Sequence, residues 1–172
     1  MTINIRYIVS TLLVLSFGLL GILVPGGPIE TRSFAHIDPL ILGVFNTFLT
    51  SLGIVSILLI YFISKNRKWA FIISAVCGVG YFLVYALDLG KIFPVSPDSM
   101  PQSLFVIEVL GTIASLPLMF FSAREALKSV NSDNEQAMES DSYSKKFVYL
   151  VFFLVLIGIG IIIFATKSAM GN

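Results

Sequence analysis

Residues 104–122 read LFVIEVLGTIASLPLMFFS. At 1.5 Å per residue a helix over this stretch is long enough to cross the hydrocarbon core of a bilayer. Its one ionisable residue is Glu108, about one turn in from the start. A carboxylate in a lipid-spanning segment is costly. It belongs against a protein interior or a wet cavity, with a partner close by.

The rest of the chain fits that reading. Of its 172 residues 56% are hydrophobic and 12% charged, and the mean hydropathy is +0.94. A soluble domain carries about twice that share of charge. Four more apolar runs flank residues 104–122: 7–24, 40–64, 69–89 and 147–165. The expected fold is therefore all-α, a polytopic membrane bundle of five transmembrane helices in a single domain. The first run is too long for a signal-peptide core, and no small-x-small cleavage site follows it, so it reads as a retained helix.

Punctuation between the runs is clear. Pro25-Gly26-Gly27-Pro28 ends the first, and Pro39 suits the first turn of the second. Pro94, Pro97 and Pro101 keep the loop before Leu104 out of helix. Residues 123–146 are polar, rich in Ser, Asn, Asp and Glu, and read as a flexible cytoplasmic connection. With the N-terminus in the cytoplasm and the C-terminus outside, eight basic residues fall on the inner side and three on the outer, as the positive-inside rule requires. The compact length fits a prokaryotic inner membrane.

Small and polar residues recur at helical spacing on three of the runs. They are Gly43, Asn46, Thr47 and Ser51 on the second, and Ser74, Cys77, Gly78, Tyr81, Tyr85 and Asp88 on the third. On the fourth they are Glu108, Gly111, Thr112 and Ser115. Helices in lipid associate through such faces, because close backbone approach replaces the missing hydrophobic drive. Gly43, Thr47, Ser51, Gly78, Gly111 and Ser115 are accordingly expected to pack three helices together. The fifth run, apolar all round, is expected at the periphery, where Gly158 and Gly160 offer a face for a second copy. Pro117 removes one backbone hydrogen bond from the fourth run and is expected to bend it.

Depth adds a second expectation. Asn46, Tyr85, Asp88 and Glu108 lie toward one side of the membrane, and the loop 29–38 supplies Glu30, Arg32, His36 and Asp38 to that side. An outward-facing polar pocket follows, with Glu108, Asp88, Asn46, Arg32, His36 and Tyr85 as its candidate ligand-binding residues. Arg32 is the expected cation for Glu108 or Asp88, since a guanidinium can bridge two carboxylates.

Several chemistries find no support. His36 is the only histidine and Cys77 the only cysteine, which excludes bis-histidine haem ligation and a CxxC redox pair. No metal site and no cofactor are expected, and phosphate-loop, HExxH and GxSxG patterns are absent. A net charge of +1 gives no reason to expect nucleic acid. What remains is a non-enzymatic binding or accessory protein that meets a small amphiphile or a membrane protein through the outer pocket. Behind it stand a proton-coupled carrier with Glu108 as the protonation site, and an intramembrane enzyme.

Overall fold

The structure, a computed structural model, describes residues 4–130 and 145–171. These form five helices and no strand: α1 (Ile5–Ile22), α2 (Pro39–Ser64), α3 (Lys68–Leu89), α4 (Gln102–Val130) and α5 (Lys145–Ala169). All five are long and apolar enough to cross a membrane.

Local chemistry sets the boundaries. The Asn4 side chain accepts from the Arg6 amide to open α1, and Asp38 accepts from Leu40 with Pro39 in the first turn to open α2. The turn between α2 and α3 puts Asn66 in the left-handed region (φ 57°), and Lys91 (φ 53°) follows the end of α3. Pro117 lies inside α4, which continues past it as one helix.

The polar connection expected from Ala123 starts later than that, because α4 runs on to Val130. Residues 123–128, AREALK, are good helix formers. Lys128 sits in the last turn, where a cation complements the helix dipole, and pairs with Glu125 at 3.7 Å. The remainder, 131–144, expected to be flexible, lies outside the described residues.

The bundle is built on α3 against α4, its most extensive pairing. There Gly78 and Gly111 bring the backbones together. A Cβ on Gly78 would come 2.7 Å from Met119 Cγ and 3.0 Å from the Met119 amide nitrogen, and one on Gly111 would overlap the Tyr85 ring. Ser115 is fully buried on the same side of α4. Helix α1 packs on α4 and α2, and α2 packs on α3 and α5.

The expected meeting of α2, α3 and α4 on their small-residue faces needs correction for α2. Helices α2 and α4 do not touch. Thr47 and Ser51 are exposed, and a Cβ on Gly43 would meet nothing within 4 Å. The Thr47 hydroxyl donates to the Gly43 carbonyl of its own helix at 2.7 Å. A hydroxyl satisfied within its own helix needs no neighbour. The buried stripe of α2 is instead Leu42, Asn46, Gly53, Ser56, Leu59 and Ile63.

Helix α5 touches α2 and no other helix. Gly158 faces that contact, where a Cβ would approach Ile54 Cδ1 to 2.6 Å, while Gly160 is open. Only one of the two glycines thought to serve a second copy is therefore left free. Away from the loop ends the core is dry: Val9, Leu13, Leu59, Ile63, Ala70, Phe71 and Leu118 are buried in one cluster.

Candidate functional site

The loops 23–38 and 90–101 lie at one end of the bundle, over the last turns of α3 and the first turns of α4. The first loop is tied down at three points. The Ser33 amide donates to Asp98 at 2.8 Å, the Ser96 hydroxyl donates to the Ser33 carbonyl at 2.9 Å, and the Phe34 amide donates to the Ala169 carbonyl at the end of α5 at 2.9 Å. Phe34 then seats in a small apolar cluster with Leu42 and Ala169.

This anchoring turns Arg32 inward. Its Nε and Nη2 donate to both oxygens of Glu30, at 2.9 and 2.6 Å. Its Nη1 and Nη2 donate to both oxygens of Asp88, at 3.0 and 2.7 Å. The guanidinium also lies over the Phe34 ring, 5.3 Å from its centroid. Two forked pairs on one guanidinium fix both geometry and charge. Burial alone would lower the Arg32 pKa, but the hydrogen bonds and negative charges of Glu30 and Asp88 raise it above its ordinary value. It is a permanent cation.

Glu108 stands at the edge of this assembly, beside Asp88 and within ion-pair range of Arg32. Its Oε1 is 3.8 Å from Arg32 Nη2, too far for a hydrogen bond, and its Oε2 has no partner although the residue is 1% exposed. Tyr85 is equally buried, and its hydroxyl also lacks a partner. Glu108 and Tyr85 border the same cavity of about 50 Å³, whose wall also includes Glu30, Asn46 and Asp88 on the polar side. Leu20, Leu23, Phe45 and Leu49 are among the apolar residues opposite. Ser16 and Ser122 also have unpartnered hydroxyls, but neither borders this cavity.

Of the six residues the sequence singled out for binding, five come together here. Asn46, Tyr85, Asp88 and Glu108 border the cavity, and Arg32 grips Asp88 at its edge. His36 is the exception. It is exposed on the loop and lines none of this cavity, because the anchored side chains of that loop are Arg32 and Phe34. Glu30 was counted only as loop charge, yet it is 5% exposed and holds Arg32 in place. The signal was the Glu-x-Arg spacing: residues two apart on an extended segment face the same way.

Helix α5 reaches the site at one point. Asn46 Nδ2 donates to Thr166 Oγ1 at 3.1 Å. A second, apolar cavity of about 170 Å³ adjoins the first between α1, α2 and α5, and Asn46 borders both.

A model of the family described as domain of unknown function DUF8051 matches residues 5–142. The chain belongs to the DUF8051 family. The match takes in α1 to α4 and every residue of the ion cluster, and it stops short of α5. No curated protein and no solved structure matches the chain. The DUF8051 description carries no activity, so function has to be read from the cavity.

Proposed function

We propose that this chain is a multi-pass membrane protein, N-terminus cytoplasmic and C-terminus outside, that binds the polar end of a small amphiphile in an outward-facing pocket without catalysing a reaction on it. The observation that carries the reading is that Glu108 and Tyr85 both border the cavity and each has a buried polar atom, Oε2 and the hydroxyl, without a partner. A buried polar atom without a partner costs about 1–3 kcal/mol. Two of them on residues that border one cavity are a cost that a ligand reaching them relieves.

The ion cluster supports binding over carriage. Arg32, Glu30 and Asp88 hold one another in a fixed arrangement that pre-forms the pocket, which suits recognition. A carrier needs a hydrophilic route to the other face. Beyond the Tyr81–Ser56 hydrogen bond (2.9 Å) the path runs into the dry cluster of Val9, Leu13, Ile63 and Phe71. The apolar cavity beside the pocket supports an amphiphile over a water-soluble ligand, since one molecule can occupy both.

The test is mass spectrometry of the full chain released from native membranes in mild detergent. Wild-type protein is expected to retain a bound amphiphile, and Glu108→Gln to lose it while unfolding at a similar temperature. A Glu108→Gln protein that keeps the same adduct at the same occupancy would remove the basis of the reading.

A further inference from the structure

The pocket also restricts the chemistry of what enters it, an inference that rests on the binding role just proposed. Three carboxyls, from Glu30, Asp88 and Glu108, meet a single guanidinium. Arg32 is already committed to two of them through four hydrogen bonds. Glu108 is the third acid: its Oε2 has no partner, and the residue borders the cavity. An anionic head placed there would face uncompensated negative charge. A cation with N–H donors would balance the charge and give Glu108 Oε2 and the Tyr85 oxygen the donors they lack.

Size narrows the head further. A cavity of about 50 Å³ takes only a few water-sized groups, at roughly 10–15 Å³ each. A primary ammonium is a compact head of that scale. The adjoining cavity supplies room for a chain. It is lined by Gly21 of α1, Val24 just beyond it, Gly53 and Ile57 of α2, and Ile157 and Gly158 of α5. The backbones of α1 and α5 stay apart, and both helices contribute to the wall of this cavity. Leu20, Leu23, Pro25, Asn46 and Leu49 border both spaces, so the two are neighbours separated by no more than these side chains.

We infer that the ligand is a single-chain alkylammonium amphiphile, entering between α1 and α5, with its head on Glu108 and its tail in the groove of α1, α2 and α5. The head donates to Glu108 Oε2 and Tyr85, and the tail replaces solvent or lipid along the three glycines.

The experiment uses the full chain in phosphatidylcholine nanodiscs, with dodecylamine as the probe and dodecanol and dodecanoate as matched-length controls. Dodecylamine is expected to bind saturably. Glu108→Gln should weaken it roughly thirtyfold or more, as expected when one partner of a buried charge pair is removed. Gly21→Phe is the second variant. A Cβ at Gly21 meets nothing within 4 Å, so the backbone there accepts a side chain, and a ring that enters the groove should also abolish binding.

The outcomes separate cleanly. If dodecanol or dodecanoate binds as well as dodecylamine and Glu108→Gln abolishes it, the ammonium assignment is wrong and the pocket still binds. If phosphatidylethanolamine displaces dodecylamine, the compact single-chain head is wrong. If no probe binds and Glu108→Gln raises thermal stability, a proton alone satisfies Glu108, and both this inference and the binding role fall. Should Glu108→Gln not fold, Gly21→Phe decides: loss of dodecylamine supports the proposal, and unchanged binding overturns it.

Discussion

The two ends of this bundle solve opposite problems with the same helices. At the loop end, α3 and α4 carry Asp88, Tyr85 and Glu108, and the structure leaves a cavity with two polar atoms unserved. Toward the other end, the same two helices bury Phe71, Ala70 and Leu118 with α1 and α2 in an apolar cluster. The dry half is organised chiefly by apolar contact, with a few buried serines such as Ser74, which is bonded to its own helix. The loop end is organised by direction and charge, so individual atoms matter. The dry half provides rigidity, and the loop end uses that rigidity to hold Glu108 away from a donor it could otherwise swing to meet.

The largest effect should come from Arg32. Replacing it with Met leaves Glu30 and Asp88 buried without a counter-charge, and removing one partner of a buried pair costs about 3–5 kcal/mol. Unfolding of Arg32→Met followed by circular dichroism in detergent should show a loss of that order. Arg32→Lys should recover only part of it, because an ammonium cannot form two forks at once. A change below about 1 kcal/mol, the range of exposed ion pairs, would mean that the cluster is solvated and that the two ends do not differ in kind.

Leu13→Ala, in the dry half, should cost about 2–5 kcal/mol by leaving a cavity. Leu13 is fully buried in the cluster with Val9 and Leu118. The distinguishing readout is ligand occupancy at a temperature where both proteins are folded. Leu13→Ala should retain the bound amphiphile that Glu108→Gln loses. If both variants lose it together, stability and binding are not separable between the two regions.

Much of this was legible in the sequence, and the reasons differ by element. Five helices follow from run length and from the proline and glycine punctuation, which are local signals. The α3–α4 pairing followed from Gly78, Gly111 and Ser115 at helical spacing. The same rule failed on α2, because spacing cannot tell a glycine that admits a neighbour from one facing outward, nor a threonine bonded to its own helix from one bonded across. In the site, Asp88 and Glu108 stood out as acids in apolar runs. Glu30 did not, since an acid in a polar loop is unremarkable until the loop is seen to fold inward through Phe34 and Ser33. His36 misled for the same reason: rarity in a sequence says nothing about which way a loop side chain turns.

A smaller effect is expected where the two regions join. Gly111 lies one turn beyond Glu108 on α4, against the Tyr85 ring. Gly111→Val has to displace that ring or push α3 from α4, at about 1–3 kcal/mol for an overpacked contact. Displacing the ring also moves the Tyr85 hydroxyl, so amphiphile binding should weaken along with stability. Full binding at reduced stability would show that Tyr85 is only a packing residue.

The smallest effects belong to the outward face of α2, and they are the sharpest check on the packing argument. A Cβ at Gly43 has open space, and Ser51 is exposed. Gly43→Ala should therefore leave the fold intact and stabilise it by no more than about 0.5–1 kcal/mol, through helix propensity alone. Ser51→Ala should fall within about 0.5 kcal/mol of wild type, as surface changes away from special features do. The comparison with Gly78→Ala carries the information, since a Cβ there must displace Met119 Cγ, near the root of that side chain, and also approach its backbone nitrogen. If Gly43→Ala proves as disruptive as Gly78→Ala, the outward face of α2 is covered by something in the membrane. A second copy of the chain would then be the first candidate, because Thr47 and Ser51 offer the small-residue surface that helices in lipid pack against.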